Sequence, residues 1–294
     1  MLPHSQPLRV RRLDSILWGA RVRVRVMTTE TNAPVDFLAH LRNESARFLG
    51  VLRGSDLSRP VPSCPAWSGA DLLWHLAEVQ WFWGTIVRNR LQSPEGLERP
   101  ARPESDHGLV QFFEEQSARL LLALTDADPA EEVYMWADDK TVGYIRRRQA
   151  HEALIHRLDA ELATGTAPTP FDPALASDGL QEVLDVMYGG QPPWGTFTPG
   201  GPQFEVVAED TNLVLPVVLG RFTGTDPESG AAVDEPDLSV QAADPQAAPA
   251  AVVRGRAEDL DAWAWHRRDD SSLTVEGDRG AYEQLLAVLA QPID

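Results

Sequence analysis

Apolar residues recur every three or four positions in the first half of the chain, then in alternation or short runs in the second. Phe37, Leu38, Leu41, Phe48, Leu49 and Leu52 fall close to a helical period, which predicts a helix over Val35–Leu52. Ser63–Cys64–Pro65–Ala66–Trp67 reads as a turn, after which Ser68 is suited to cap a second helix, with Asp71 adding an acid in its first turn. That helix runs through Leu72, Leu73, Leu76, Val79, Trp83 and Ile86, and Pro94 and Gly96 mark its end. A third fits Leu109–Thr125 and stops at Asp126–Pro129. A fourth runs from Val142 to Leu162 and ends at Gly165, with Pro168 and Pro170 beyond. Four long helices joined by moderate loops predict a four-helix bundle over residues 34–166.

Beyond Pro170 the period changes. Ala174–Tyr188 reads as a connecting helix, and Gly189–Pro202 as a Gly/Pro-rich run. Gln203–Ala208, Asn212–Phe222, Leu238–Ala242 and Leu273–Glu276 have the pattern of strands. Ala243–Ala251 reads as a loop, and Leu260–Trp265 and Ala281–Leu289 as helices. Residues 174–294 are therefore expected to form a small C-terminal α/β domain, and the fold class of the whole is α+β.

Composition changes this picture at three points. The formal net charge of −18 repels phosphate backbones, so no nucleic-acid partner is expected. No stretch approaches about 18 consecutive apolar residues, so no membrane span is expected either, and the acidic chain is assigned to the cytoplasm as a monomer or small homo-oligomer. Cys64 is the only cysteine, which excludes a disulfide framework and a cysteine-based structural zinc cluster; it reads as a buried, inert thiol, with a nucleophile the alternative. Residues 1–26 crowd six arginines around the short apolar run Ile16–Leu17–Trp18, too short for an export signal. They are read as a disordered extension, or as the product of a start codon placed too early, since ordinary sequence begins at Met27.

The segment Arg146–Glu161 carries the candidate chemistry. On a helix, Glu152 and His156 project one turn apart on one face, half of a metal cage in a bundle core. Asp159 lies near the same face and suits an outer partner for an imidazole. The other half must come from a facing helix, and His75, mid-helix among Leu72, Leu76 and Val79, is the first candidate. His151 is an alternative to His156, and Glu78 an alternative partner for His75. His40 and His107 have no evident partner.

The run Cys64–Pro65–Ala66–Trp67–Ser68 with Asp71–Leu72–Leu73–Trp74–His75–Leu76–Ala77 resembles the second-helix signature of the mycothiol-dependent maleylpyruvate isomerase family. Arg148–Gln149–Ala150–His151–Glu152, His156–Arg157–Leu158–Asp159–Ala160–Glu161 and Ala163–Thr164–Gly165 are similar to its fourth-helix motif. Ala176–Glu182 resembles its connecting helix, and Gly255–Leu260 with Trp263, Trp265 and Arg267 its C-terminal signature. The resemblance implies a DinB-like four-helix bundle followed by a small sterol-carrier-protein-like α/β domain. It implies a divalent metal, zinc first and iron or nickel as alternatives, on His75, Glu152 and His156. It implies mycothiol as thiol cosubstrate and a small electrophile as substrate. An arginine of the family's isomerase corresponds to Arg267, with Arg268 as fallback; contact with a substrate carboxylate and a surface position near Asp269 and Asp270 are both open for it. Asp261, Ala262, Ala264 and His266 depart from the C-terminal signature toward polarity, which touches the substrate more than the fold.

The expected activity is a metal- and mycothiol-dependent isomerase or S-transferase. A zinc-dependent hydrolase is the second reading. A non-catalytic module with an apolar ligand between Trp194, Trp263 and Trp265 is the third, against which these rings also read as core aromatics.

Overall fold

The computed structural model describes residues 34–241 and 248–291; the stretch 1–26 lies outside them. The chain divides into two compact units, one running to Leu175 and taking in Trp265–Arg267, the other comprising Ala176–Ala264 and the chain from Arg268 onward.

The first unit is built on helices α1 (Phe37–Leu52), α2 (Gly69–Asn89), α3 (Asp106–Asp126) and α4 (Val142–Thr164). Each begins on a side chain that accepts from an exposed helix amide: Asp36, Ser68, Ser105 and Thr141 respectively. α1 packs mainly on α4 and α2 mainly on α3, with α2 also against α4. Phe48, Leu52, Leu72, Leu73, Leu76 and Phe113 meet in their shared core, the rings of Phe48 and Phe113 5.1 Å apart. α4 ends at Gly165, whose φ of 72° is the left-handed value that a C-terminal cap needs. α2 stops before the expected Pro94, because Arg90 turns left-handed and its N–H closes on Ile86 and Val87. Before α2, most of the segment read as a turn is a short strand, β2 (Cys64–Ser68), which folds back on β1 (Pro60–Val61) and delivers Trp67 and the Ser68 cap.

α4 is the central element. It buries residues on every face, including Arg148, His151, His156, Arg157, Asp159 and Glu161. A segment whose charges would suit a solvated surface is thus an internal polar network, which is stable only when its members are paired.

In the second unit, α5 (Pro173–Glu182) winds into a wider π-type turn over Val183–Tyr188. There follow β3 (Gly195–Ala208), β4 (Leu213–Thr225), β5 (Ala232–Val240), β6 (Ala251–Gly255), α6 (Ala257–Ala264), β7 (Thr274–Gly277) and α7 (Arg279–Leu289). The sheet order is β5-β4-β3-β6-β7, with β3 and β6 parallel and the other pairs antiparallel. β3 starts well before the expected Gln203, since its Gly/Pro-rich part pairs with β4 and takes an irregularity between Pro199 and Gln203. Gly195 is required there: a Cβ would come within 2.1 Å of the Phe222 ring. β6, not foreseen as a strand, starts where the expected loop ends. Trp263 and Trp265 are buried core aromatics, while Trp194 is half-buried and sits edge-on to Phe222. Among the described residues no helix is long and apolar enough to cross a membrane.

Candidate functional site

The Ser68–Asp71 pair sets the start of α2: Ser68 Oγ accepts from the Asp71 amide at 3.2 Å, and Asp71 accepts from the Ser68 amide at 2.9 Å. One turn on, His75 points at α4. Its Nε2 lies 3.4 Å from Glu152 Oε1, and His156 Nε2 lies 3.2 Å from the same oxygen. One donor atom from each of the three side chains falls within 4.8 Å of the others. The imidazole rings meet edge to face, centroids 4.8 Å apart and planes at 77°. Trp67 of β2 lies beside both, 4.7 Å from His75 and 6.2 Å from His156.

Behind this trio stand two buried pairs. Asp159 Oδ2 lies 2.9 Å from His156 Nδ1, and Arg267 closes on Asp159 with Nε at 3.0 Å and Nη2 at 2.9 Å. Arg267 also donates from Nη1 to the Trp265 carbonyl at 2.6 Å and from Nη2 toward Cys64 Sγ at 3.6 Å, while Ser63 Oγ donates to Asp159. On the other flank, Arg148 Nη2 donates to Glu152 Oε2 at 2.8 Å, with the guanidinium 5.1 Å from the Trp265 ring.

The electrostatics follow from burial set against these partners. Burial opposes ionisation of Glu152, but hydrogen bonds from His156 and His75 and the charge of Arg148 outweigh it and hold the carboxyl well below its usual range. Burial likewise opposes ionisation of Asp159, but the hydrogen bond from His156 and the charge and hydrogen bonds of Arg267 outweigh it and hold this carboxyl well below its usual range too. His75 is pushed down, burial outweighing its bond to Glu152, so it is neutral and offers a lone pair. For His156 burial is overcome by the Asp159 and Glu152 carboxylates, which raise it; a cation entering here would displace that proton. The Cys64 thiol is pushed up by burial and by the Asp159 charge against the pull of Arg267, which makes it a poor nucleophile.

The donor set of two imidazoles and one carboxylate suits a borderline divalent cation. The spacings of 3.4 and 3.2 Å match the donor–donor edge of a tetrahedral zinc site, about 3.3 Å for bonds of about 2.0–2.1 Å. The residues present therefore fit such a metal.

Other sequence candidates fall elsewhere. His151 lies edge-on to Phe37, with ring centroids 5.9 Å apart, and is outside the trio. Glu78 faces Arg99 at 3.4 Å, and Arg268 pairs with Asp259. Sequence reasoning gave no role to Arg148, Ser63 or Trp67. The four-residue spacing of Arg148 and Glu152 was a usable signal for the first; nothing in the local pattern signals the other two.

Fold and site together define a class: a helical unit with an inward His–Glu–His cluster, joined in one chain to a mixed-sheet unit. Two family models match in that order, the mycothiol maleylpyruvate isomerase N-terminal domain over residues 38–161 and the corresponding C-terminal domain over 174–284. The chain belongs to the mycothiol-dependent maleylpyruvate isomerase family and is an enzyme of it. Among solved structures, the crystal structure of a mycothiol-dependent maleylpyruvate isomerase is similar in fold, with a TM-score of 0.53 at 14% identity, covering 82% of this chain and 92% of that one. A histidine-to-alanine mutant of that isomerase matches with the same values, a TM-score of 0.53 at 14% identity. No curated protein matches the chain.

Proposed function

We propose that this enzyme is a metal-dependent, mycothiol-dependent isomerase or S-transferase acting on a small electrophilic acid, with maleylpyruvate the first substrate to test. The observation that carries the reading is the convergence of His75, Glu152 and His156 within 4.8 Å, inside the region that matches the family's N-terminal domain. The metal proposed is zinc; iron or nickel would meet the same donors. When bound, such a cation would supply a Lewis-acidic position at which an incoming thiol gives up its proton.

The remaining work falls to the chain. Asp159, held ionised, can only accept, so it keeps a proton on His156 Nδ1, and the Nε2 position that faces Glu152 is the one whose proton a cation would replace. The sequence left Arg267 open between contact with a substrate carboxylate and a surface position near Asp269 and Asp270. Its Nε and Nη2 are engaged by Asp159, so we assign it a positioning role that reaches His156 through Asp159. Trp67 shields one side of the imidazoles from water.

In the proposed reaction the cosubstrate sulfur adds to one carbon of a cis double bond conjugated with a carbonyl. The displaced electron pair moves onto the carbonyl oxygen, and the former double bond turns as a single bond. The pair then returns, the carbon–sulfur bond breaks, and the trans acid leaves with the thiol regenerated. Because mycothiol is an intracellular thiol in organisms that make it, we place the enzyme in the cytoplasm, with small molecules rather than nucleic acid or membrane as its partners.

The test is conversion of maleylpyruvate by the purified, metal-supplemented enzyme, followed by proton NMR with and without mycothiol. Thiol-dependent cis-to-trans conversion without thiol consumption is expected. Stoichiometric consumption would select the S-transferase form, and equal turnover without thiol would overturn the reading in favour of hydrolysis.

A further inference from the structure

Glu152 has two oxygens, and the structure uses them differently. Oε1 faces both histidines, at 3.4 and 3.2 Å, while Oε2 accepts from Arg148 Nη2 at 2.8 Å. We propose that Arg148 is a positioning residue that restricts Glu152 to one donor oxygen toward the metal and thereby keeps a coordination position open for the thiol. The inference rests on the metal reading above.

The argument is one of competition for a lone pair. A carboxylate beside a divalent cation can bind through one oxygen or chelate through both, and chelation fills a second position. A charge-assisted hydrogen bond on Oε2 opposes that change, because chelation would take the lone pair that Arg148 already holds. Arg148 cannot easily move out of the way. It sits one turn before Glu152 on α4, its side chain is 4% exposed, and its guanidinium lies 5.1 Å from the Trp265 ring. Two arginines, Arg148 buried and Arg267 half-buried, thus take opposite parts. Arg267 acts on a histidine ligand through Asp159, and Arg148 acts on the carboxylate ligand directly.

An ordinary buried ion pair makes a different prediction. If Arg148 only neutralised Glu152, its loss would loosen the metal. If it restricts Glu152, its loss frees Oε2 to join the metal, so the metal stays while the thiol loses its place.

The experiment uses the full chain loaded with cobalt(II), whose visible absorption reports coordination and whose thiolate charge-transfer band reports thiol binding. Mycothiol is titrated into wild type and Arg148→Met, and cobalt is competed with a chelator in parallel. The expected result is that R148M holds cobalt at least as firmly as wild type but needs about tenfold or more thiol to develop the band. Unchanged thiol affinity in R148M would overturn the inference, as would easier loss of cobalt with no change in thiol binding. Should R148M fail to fold, a crystal structure of metal-loaded wild type decides: Oε2 still on Arg148 supports the inference, and both Glu152 oxygens on the metal overturn it. A wild type that takes up no cobalt would overturn the metal reading and this inference with it, a result distinct from failure of Arg148 alone.

Discussion

Arg267 grips Asp159 with two donors, Nε on Oδ1 at 3.0 Å and Nη2 on Oδ2 at 2.9 Å, across 108 positions of sequence. Asp159 is fully buried and the Arg267 side chain is 14% exposed, so the pair is shielded from solvent. Asp159 Oδ2 in turn lies 2.9 Å from Nδ1 of His156, one of the three proposed metal ligands.

Removing Arg267 leaves a buried carboxylate without its countercharge. Arg267→Met is expected to cost about 3–5 kcal/mol of stability and about 10–100-fold in metal affinity or activity. Urea unfolding and chelator competition check the two halves. A folded variant with unchanged metal affinity and activity would remove Arg267 from the site's support.

Asp159→Asn keeps size and removes charge. The amide can turn its NH2 toward His156, which favours the tautomer with the proton on Nε2 and hides the lone pair from the metal. Metal affinity is expected to fall about 10–100-fold while the helices stay intact, as read by chelator competition alongside circular dichroism.

Cys64 lies beside the site, with Arg267 Nη2 3.6 Å from its sulfur, yet burial and the Asp159 charge push its thiol up. Cys64→Ser is therefore expected to keep most of the thiol-dependent turnover, measured with added mycothiol. Abolished turnover in a folded, metal-loaded variant would place the nucleophile in the chain.

The helices were readable because their signals are local. Ser68 before Asp71 and Gly165 after Thr164 mark ends that the structure keeps. The strands were harder. The start of β3 hides in Gly and Pro, tolerated because Gly195 lies against the Phe222 ring, and β5 begins among polar residues that alternate toward solvent. At the site, Glu152 and His156 share a face by spacing alone. His75, 77 positions before Glu152, is brought to them only by the packing of α2 on α4. The Arg267–Asp159 fork and the Arg148–Trp265 contact depend on tertiary approach, which no local period encodes.

Away from the site, Glu161 ties the end of α4 to the chain beyond it. Burial opposes its ionisation, but hydrogen bonds from Thr169 and Arg157 outweigh this and lower the carboxyl below its ordinary value of 4.5. Its stabilising contribution is therefore present above that value and lost as pH falls through the lowered one. The gap in urea midpoint between wild type and Glu161→Gln is expected to be widest near neutrality and to narrow as the pH drops below 4.5. A gap independent of pH would contradict this.

The most direct test of the account is metal content by elemental mass spectrometry, on wild type and on His156→Ala, after reconstitution with zinc. The account predicts about one zinc per chain in wild type, as expected for a single site of three protein ligands, and none retained by the variant. No zinc in wild type, or equal zinc in H156A, would contradict it.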